Sequence, residues 1–162
     1  MFNLRKLTAF FAPGRPATSY ERAVRLLETG AFEQAERELS ALVASAASDS
    51  ERAAVINKRG IARVHQNRRD EALEDFTAAL EFKPQFASAL LNIGNLLLED
   101  GELDEAIAHY ESAVRSDDSY AVAHMNLSAA YKKAGRHAES VREFRRASRL
   151  EGRFGQKKKA TP

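Results

Sequence analysis

The chain has 162 residues, 44 % of them hydrophobic and 30 % charged, with eight Gly and four Pro; this favours helix and leaves room for one compact domain or one short repeat array. The absence of Cys excludes a disulfide framework, a thiol nucleophile and Cys-ligated zinc, and suits a reducing compartment, with the cytoplasm the expected location. The formal charge of +2 is uneven: residues 132–162 carry 11 Lys/Arg against three Glu, or +8, so the remainder carries 14 against 20, or −6.

The first element is residues 1–15, "MFNLRKLTAFFAPGR", which contain no acidic side chain. On a helical wheel Leu4, Leu7 and Phe11 share one face with Phe10 at its margin, while Arg5 and Lys6 sit elsewhere. Pro13, Gly14 and Pro16 end any helix there. Three readings compete: docking on the rest of the chain or on a partner, contact with a membrane interface, and targeting. The apolar run is too short and broken for a secretory signal, and so little apolar contact anchors weakly by itself. Docking is therefore the first expectation and weak, peripheral membrane contact the second. No run of sequence approaches the roughly 18 apolar residues of a spanning helix.

From residue 16 to residue 152 the chain repeats itself. A small residue recurs at Ala35, Ala72, Ala106 and Ser140, spaced by 37, 34 and 34. A large apolar slot, Leu39, Phe76, Tyr110 and Phe144, keeps the same phase. So do a turn slot, Gly30, Asn67, Gly101 and Gly135, and a second small slot, Ala23, Gly60, Gly94 and Ser128. Fixed-period self-similarity of this kind marks a repeat architecture. The four copies fall at about 16–49, 53–86, 87–120 and 121–152, with a three-residue insertion in "SAASDS" between the first two.

Each copy holds two helical patterns. The first opens on "TSYE", where Thr18 and Glu21 form a capping box, and Ser48 with Glu51 offers a second box to start the third helix. The third copy is the clearest. Leu90, Ile93 and Leu97 make one apolar stripe, "EDGE" breaks the helix, and Asp104 and Glu105 suit the positive end of the next helix dipole. Ala106, Ile107, Tyr110, Ala113 and Val114 form its second stripe. The second copy places Arg59 and Arg63 at slots where its neighbours are apolar.

A terminal copy has no neighbour to cover it, so its outer face is expected to be polar. Ser148 stands where earlier copies have Val43, Leu80 and Val114, with Arg142, Arg145, Arg146 and Arg149 around it. The last helix reads as a cap whose arginines are partly structural, with Val141, Phe144 and Leu150 pointing inward. Residues 153–162 form a basic tail expected to be disordered. Its three Lys lack the interleaved aromatics that stack bases, so nucleic acid is disfavoured.

This pattern resembles the tetratricopeptide repeat, a 34-residue helix–turn–helix unit. The resemblance rests on Leu90, Ile93, Gly94, Leu97, Gly101, Ala106, Tyr110 and Ala113 in the third copy. It is supported by Ile56, Gly60, Ala72, Phe76, Ala79 and Pro84 in the second, and by Leu127, Tyr131, Gly135, Phe144 and Ala147 in the fourth. Leu26, Gly30, Ala35 and Leu39 carry the weaker first copy. The resemblance implies an all-α fold, a short right-handed superhelix (α-solenoid) of four helix–turn–helix repeats. It also implies a concave groove, lined by the first helix of each pair, that grips a segment of a protein or peptide partner.

Carried over residue by residue, the groove is expected to hold Tyr20, Val24 and Leu27 in the first copy and Asn57, Lys58, Ile61 and His65 in the second. The third contributes Leu91, Asn92, Asn95 and Glu99, and the fourth Met125, Asn126, Ala129 and Lys133. Asn92 and Asn126 share a slot, and a side-chain amide there both donates to and accepts from a ligand backbone; the competing reading is that these Asn only hydrate a helix face. Some members of the family hold a terminal carboxylate with two Lys, two Asn and an Arg. Copies two to four offer Asn57, Ile61, Asn92, Val122 and Asn126, where one of five fits. Copies one to three offer Tyr20, Val24, Lys58, Ser88 and Asn92, where none does, so that clamp is disfavoured. Met125 reads as ordinary packing.

Nothing points to catalysis. His65, His109, His124 and His137 lack metal-ligand spacing, no phosphate loop or nucleophile elbow is present, and Glu105 with His109 reads as a surface ion pair. No catalytic, cofactor or metal residue is assigned. The leading expectation is a non-catalytic adaptor; the alternatives are an assembly or secretion chaperone holding a client, and a membrane-peripheral organiser anchored by residues 1–15. Self-association is allowed, since an open-ended stack can continue into another molecule.

Overall fold

The computed structural model describes residues 18–159, with side chains to residue 152, so the expectations for residues 1–15 lie outside the described residues. Among the described residues there are eight helices and no strand: α1 (Ser19–Glu28), α2 (Phe32–Val43), α3 (Asp49–His65), α4 (Arg69–Phe82), α5 (Ala87–Asp100), α6 (Leu103–Ser116), α7 (Ala121–Lys133) and α8 (His137–Lys159). They pack as consecutive antiparallel pairs, each against the next, which is the layout of an α-solenoid.

The turn inside each pair is the same device used four times. Gly30, Asn67, Gly101 and Gly135 all have positive φ, between 59° and 89°, and the next residue's N–H bonds back to a carbonyl five residues earlier. The pairs are Ala31 to Leu26, Arg68 to Arg63, Glu102 to Leu97 and Arg136 to Tyr131, at 2.8–2.9 Å. Asn is the one non-glycine residue used, because its short polar side chain tolerates the left-handed conformation.

Helix starts follow the sequence with one change. Thr18 and Glu21 form the reciprocal capping box that opens α1. At α3 Ser48 Oγ accepts from Glu51 N–H at 3.2 Å, but the Glu51 carboxylate accepts from Ala47 N–H at 2.8 Å, one residue before the expected Ser48.

Close approach of the paired helices depends on the small slots. A Cβ placed on Gly60 would lie 2.6 Å from the Phe76 ring, and one on Gly94 would lie 2.6 Å from the Tyr110 ring. Both rings are buried. The fourth copy has Ser128 at this slot, and Ser128 Oγ donates to Ser140 O at 2.8 Å. Phe144, expected to point inward, stands 52 % exposed with Val141 exposed beside it, because these slots are covered in α6 by α7 and no described helix covers them in α8; of the three expected inward residues only Leu150 is buried.

The end of α8 is a second correction. Its backbone stays helical to Lys159, through most of the stretch expected to be a disordered tail. Once a docked helix exists, adding residues such as Gln and Lys needs no new nucleation.

Candidate functional site

The first helices of the second, third and fourth pairs, α3, α5 and α7, place a row of amides along one face of the stack. Asn92 Nδ2 donates to Asn57 Oδ1 at 3.0 Å, and Asn126 Nδ2 donates to Asn95 Oδ1 at 2.8 Å. Tyr110 Oη also donates to Asn95 Oδ1, at 2.9 Å. Burial, helped by the charge of Glu99, pushes the Tyr110 phenol up to about 12, so it remains a donor at neutral pH. These amides are thus first of all stitches between successive copies, a role that slot spacing alone does not reveal. Asn92 Oδ1, Asn95 Nδ2 and Asn126 Oδ1 have no partner among the described residues, which leaves an acceptor, a donor and an acceptor along the row.

Beside this row lies a hollow of ≈ 200 Å³ lined by Ile61, Val64, His65, Phe76, Asn92, Asn95, Leu96 and Glu99. Five of these, Ile61, His65, Asn92, Asn95 and Glu99, are expected groove residues that the fold brings together. Two expected residues are not on the groove surface. Asn57 is 3 % exposed because Asn92 covers its amide, and Leu91, at 4 %, belongs to the core shared with α6 and α7. Lys58, Met125 and Asn126 are half-buried, as are Tyr20, Val24 and Leu27 in α1, while Ala129 and Lys133 are exposed.

Two features of the rim were missed. The His65 ring stacks on Phe32, with centroids 4.3 Å apart and planes 5° apart, so the edge of the hollow reaches into the first pair. Glu99 is held by Arg69 from α4, which also donates to Leu96 O at 2.9 Å. Neither partner shares the groove's repeat slot, so periodicity gave no signal for them.

Of the other histidines, His124 ties the fold together. His124 is buried, with Nδ1 2.8 Å from Glu143 Oε2 and Nε2 3.1 Å from Asp118 O, tying α8 to the turn before α7. His109 does not form the expected pair with Glu105. Its Nδ1 is buried without a partner, and burial pushes its pKa down, which favours the neutral ring. Among the described residues no group of three or more His, Cys, Asp or Glu side chains is placed to hold a metal, and no helix is long and apolar enough to cross a membrane.

Models of the tetratricopeptide repeat match residues 57–121 and 97–152, which together span 57–152, more than half of the chain. No curated protein sequence matches at a significant level. Among solved structures, MamA superposes with a TM-score of 0.68 at 21 % identity, over 85 % of this chain and 79 % of that one. YrrB, described as a TPR protein with an unusual peptide-binding site, superposes with a TM-score of 0.61 at 18 % identity, over 83 % and 68 %. At these identities the likeness is one of fold.

Proposed function

The chain belongs to the tetratricopeptide repeat family, and from that premise we propose that it is a non-catalytic adaptor holding a segment of a partner protein in its groove. The carrying observation is the acceptor–donor–acceptor row of Asn92 Oδ1, Asn95 Nδ2 and Asn126 Oδ1 beside the apolar wall of Ile61, Val64 and Leu96. Amides of this polarity complement the peptide groups of a bound chain whatever its side chains, while the wall favours an apolar side chain over a charged one. The peptide-binding description of the neighbouring YrrB structure is consistent with this use of the fold.

A photo-crosslinking amino acid in place of Ile61 tests the proposal in cells, with the same residue in place of the exposed Thr77 of α4 as a control outside the groove. The groove position is expected to give a discrete crosslinked protein that the Thr77 position does not. Identical patterns from both positions would remove the groove from the function.

A further inference from the structure

Among the described residues, the outer face of α8 is built like an inner face but left open. In α6 the residues Ile107, Tyr110, Glu111 and Val114, at i, i+3, i+4 and i+7, form the side on which α7 lies. Ile107 and Tyr110 are buried in one cluster with Leu127 and Tyr131 of α7, and Glu111 accepts a hydrogen bond from Tyr131 Oη at 2.7 Å. One period later α8 presents Val141, Phe144, Arg145 and Ser148 at the same spacing. Val141 is 48 % exposed and Phe144 52 %, and no helix follows α8 among the described residues.

We propose that this face docks an amphipathic helix of a partner protein whose apolar side is flanked by Asp or Glu. The shape follows from the register, because what covers the equivalent face of α6 is a helix. The charge follows from the one slot that inverts: Glu111, an acceptor towards the covering helix, is replaced by Arg145, which can only donate. Arg145 and Arg149, one turn apart, have no ion-pair partner among the described residues, and both stand exposed beside the apolar pair. A carboxylate on the incoming helix gains charge-assisted hydrogen bonds from them. Other occupants fit less well. A second α8 in a two-fold pairing brings arginine against arginine, and residues 1–15 offer Arg5, Lys6 and Arg15 with no acid.

Fluorescence anisotropy tests this with a labelled helical peptide carrying a Leu face flanked by Glu, against the same peptide with Lys in place of Glu. The Glu-flanked peptide is expected to bind with an affinity that falls as salt is added. Val141→Ala with Phe144→Ala is expected to weaken it at least about tenfold, and Arg145→Glu with Arg149→Glu to reverse the preference towards the Lys-flanked peptide. All four side chains are exposed or at the surface, so thermal unfolding of both variants checks that the fold is kept. The proposal is overturned if neither peptide binds, if both bind alike, or if the charge reversal leaves the preference unchanged. It is also overturned if Ile61→Asp, in the groove, abolishes binding, which places the peptide there. A dimer of the free chain that Phe144→Asp dissolves in sedimentation velocity would overturn it too, because the face would then be covered by a second copy.

Discussion

The joint between the first and second helix pairs adds an ionic cluster to its apolar contacts, whereas at the joint between the third and fourth pairs the same repeat slots are apolar. Glu36 of α2 meets Arg63 of α3 at 3.0 Å, and Arg63 also reaches Asp75 of α4 at 3.0 Å. Asp75 in turn takes three further bonds from Arg59, at 2.6, 3.0 and 3.3 Å, and its side chain is 4 % exposed. The equivalents of Glu36 and Arg63 at the later joint are Ile107 and Tyr131, both buried in the central core cluster. The slots of Arg59, Arg63 and Asp75 become Ile93, Leu97 and His109 in the third pair. A buried ion pair needs its partners in fixed geometry and adds little net stability over a well-packed apolar group, whereas breaking one leaves an uncompensated charge. The ionic cluster therefore fixes its partners in direction, while the apolar contacts at both joints supply cohesion.

The largest expected effect comes from removing Asp75. Asp75→Ala leaves Arg59 and Arg63, whose side chains are 20 % and 15 % exposed, facing each other without their shared carboxylate. It should cost about 3–5 kcal/mol in urea unfolding. Replacing the trio as the third pair has it, with Arg59→Ile, Arg63→Leu and Asp75→His together, is expected to be close to neutral. If the triple variant is as unstable as the single one, the ionic cluster supplies cohesion after all and the contrast fails.

Next in size is a test of the apolar side. Gly94→Leu forces a side chain into the Tyr110 ring, which already lies 2.6 Å from the place of a Cβ, and should cost on the order of 1–3 kcal/mol in the same assay. Hydrogen exchange should show the loss in α5 to α7 with α1 and α2 protected as before. Spread of the loss evenly through all eight helices would mean that the joints do not act as separate units.

The periodicity made most of this framework readable before any coordinates. Small, large and turn slots are steric requirements of a helix pair, and a steric requirement writes itself into one position at a time. That is why Gly30, Asn67, Gly101 and Gly135 stand out as a turn slot and Gly60 and Gly94 as members of a small slot. The ionic joint was half legible: Arg59 and Arg63 stood out as misfits, but their partners Glu36 and Asp75 lie 27 and 16 residues away on other helices. The groove was legible as a face and illegible in its bonding. Which way an amide turns, towards ligand or towards the next copy, depends on the spacing between helices, and Asn57 shows the cost of ignoring it. Phe144 differs for a related reason, since the burial of its slot depends on a covering helix, which Tyr110 has in α7.

Asn92→Ala probes those stitches with a smaller effect. It removes the donor to Asn57 Oδ1, leaving a buried acceptor without its partner, and should cost about 1 kcal/mol. Asn126→Ala faces Asn95, whose oxygen keeps Tyr110 Oη as a donor, so its cost should be lower. Equal costs, measured as shifts in urea midpoint at constant m, would argue that the amides do not connect the copies as individual bonds.

The smallest expected effect is a pH dependence confined to the ionic joint. Burial alone would raise the Glu36 carboxyl, but hydrogen bonds from Gln66, Arg63 and Arg68 outweigh it and hold the group below its ordinary 4.5. In the unfolded chain Glu36 takes up its proton first on acidification, so the folded state gains stability from this group above that ordinary value and loses it as pH falls through the depressed folded value. Glu36→Gln lacks the charge at every pH. The stability gap between parent and Glu36→Gln should therefore be constant from neutrality to about pH 5 and close below the ordinary carboxylate range. A gap that persists unchanged at pH 3 would show that Glu36 contributes through shape and neutral hydrogen bonding, and the first joint would then differ from the later one in composition without differing in its electrostatics.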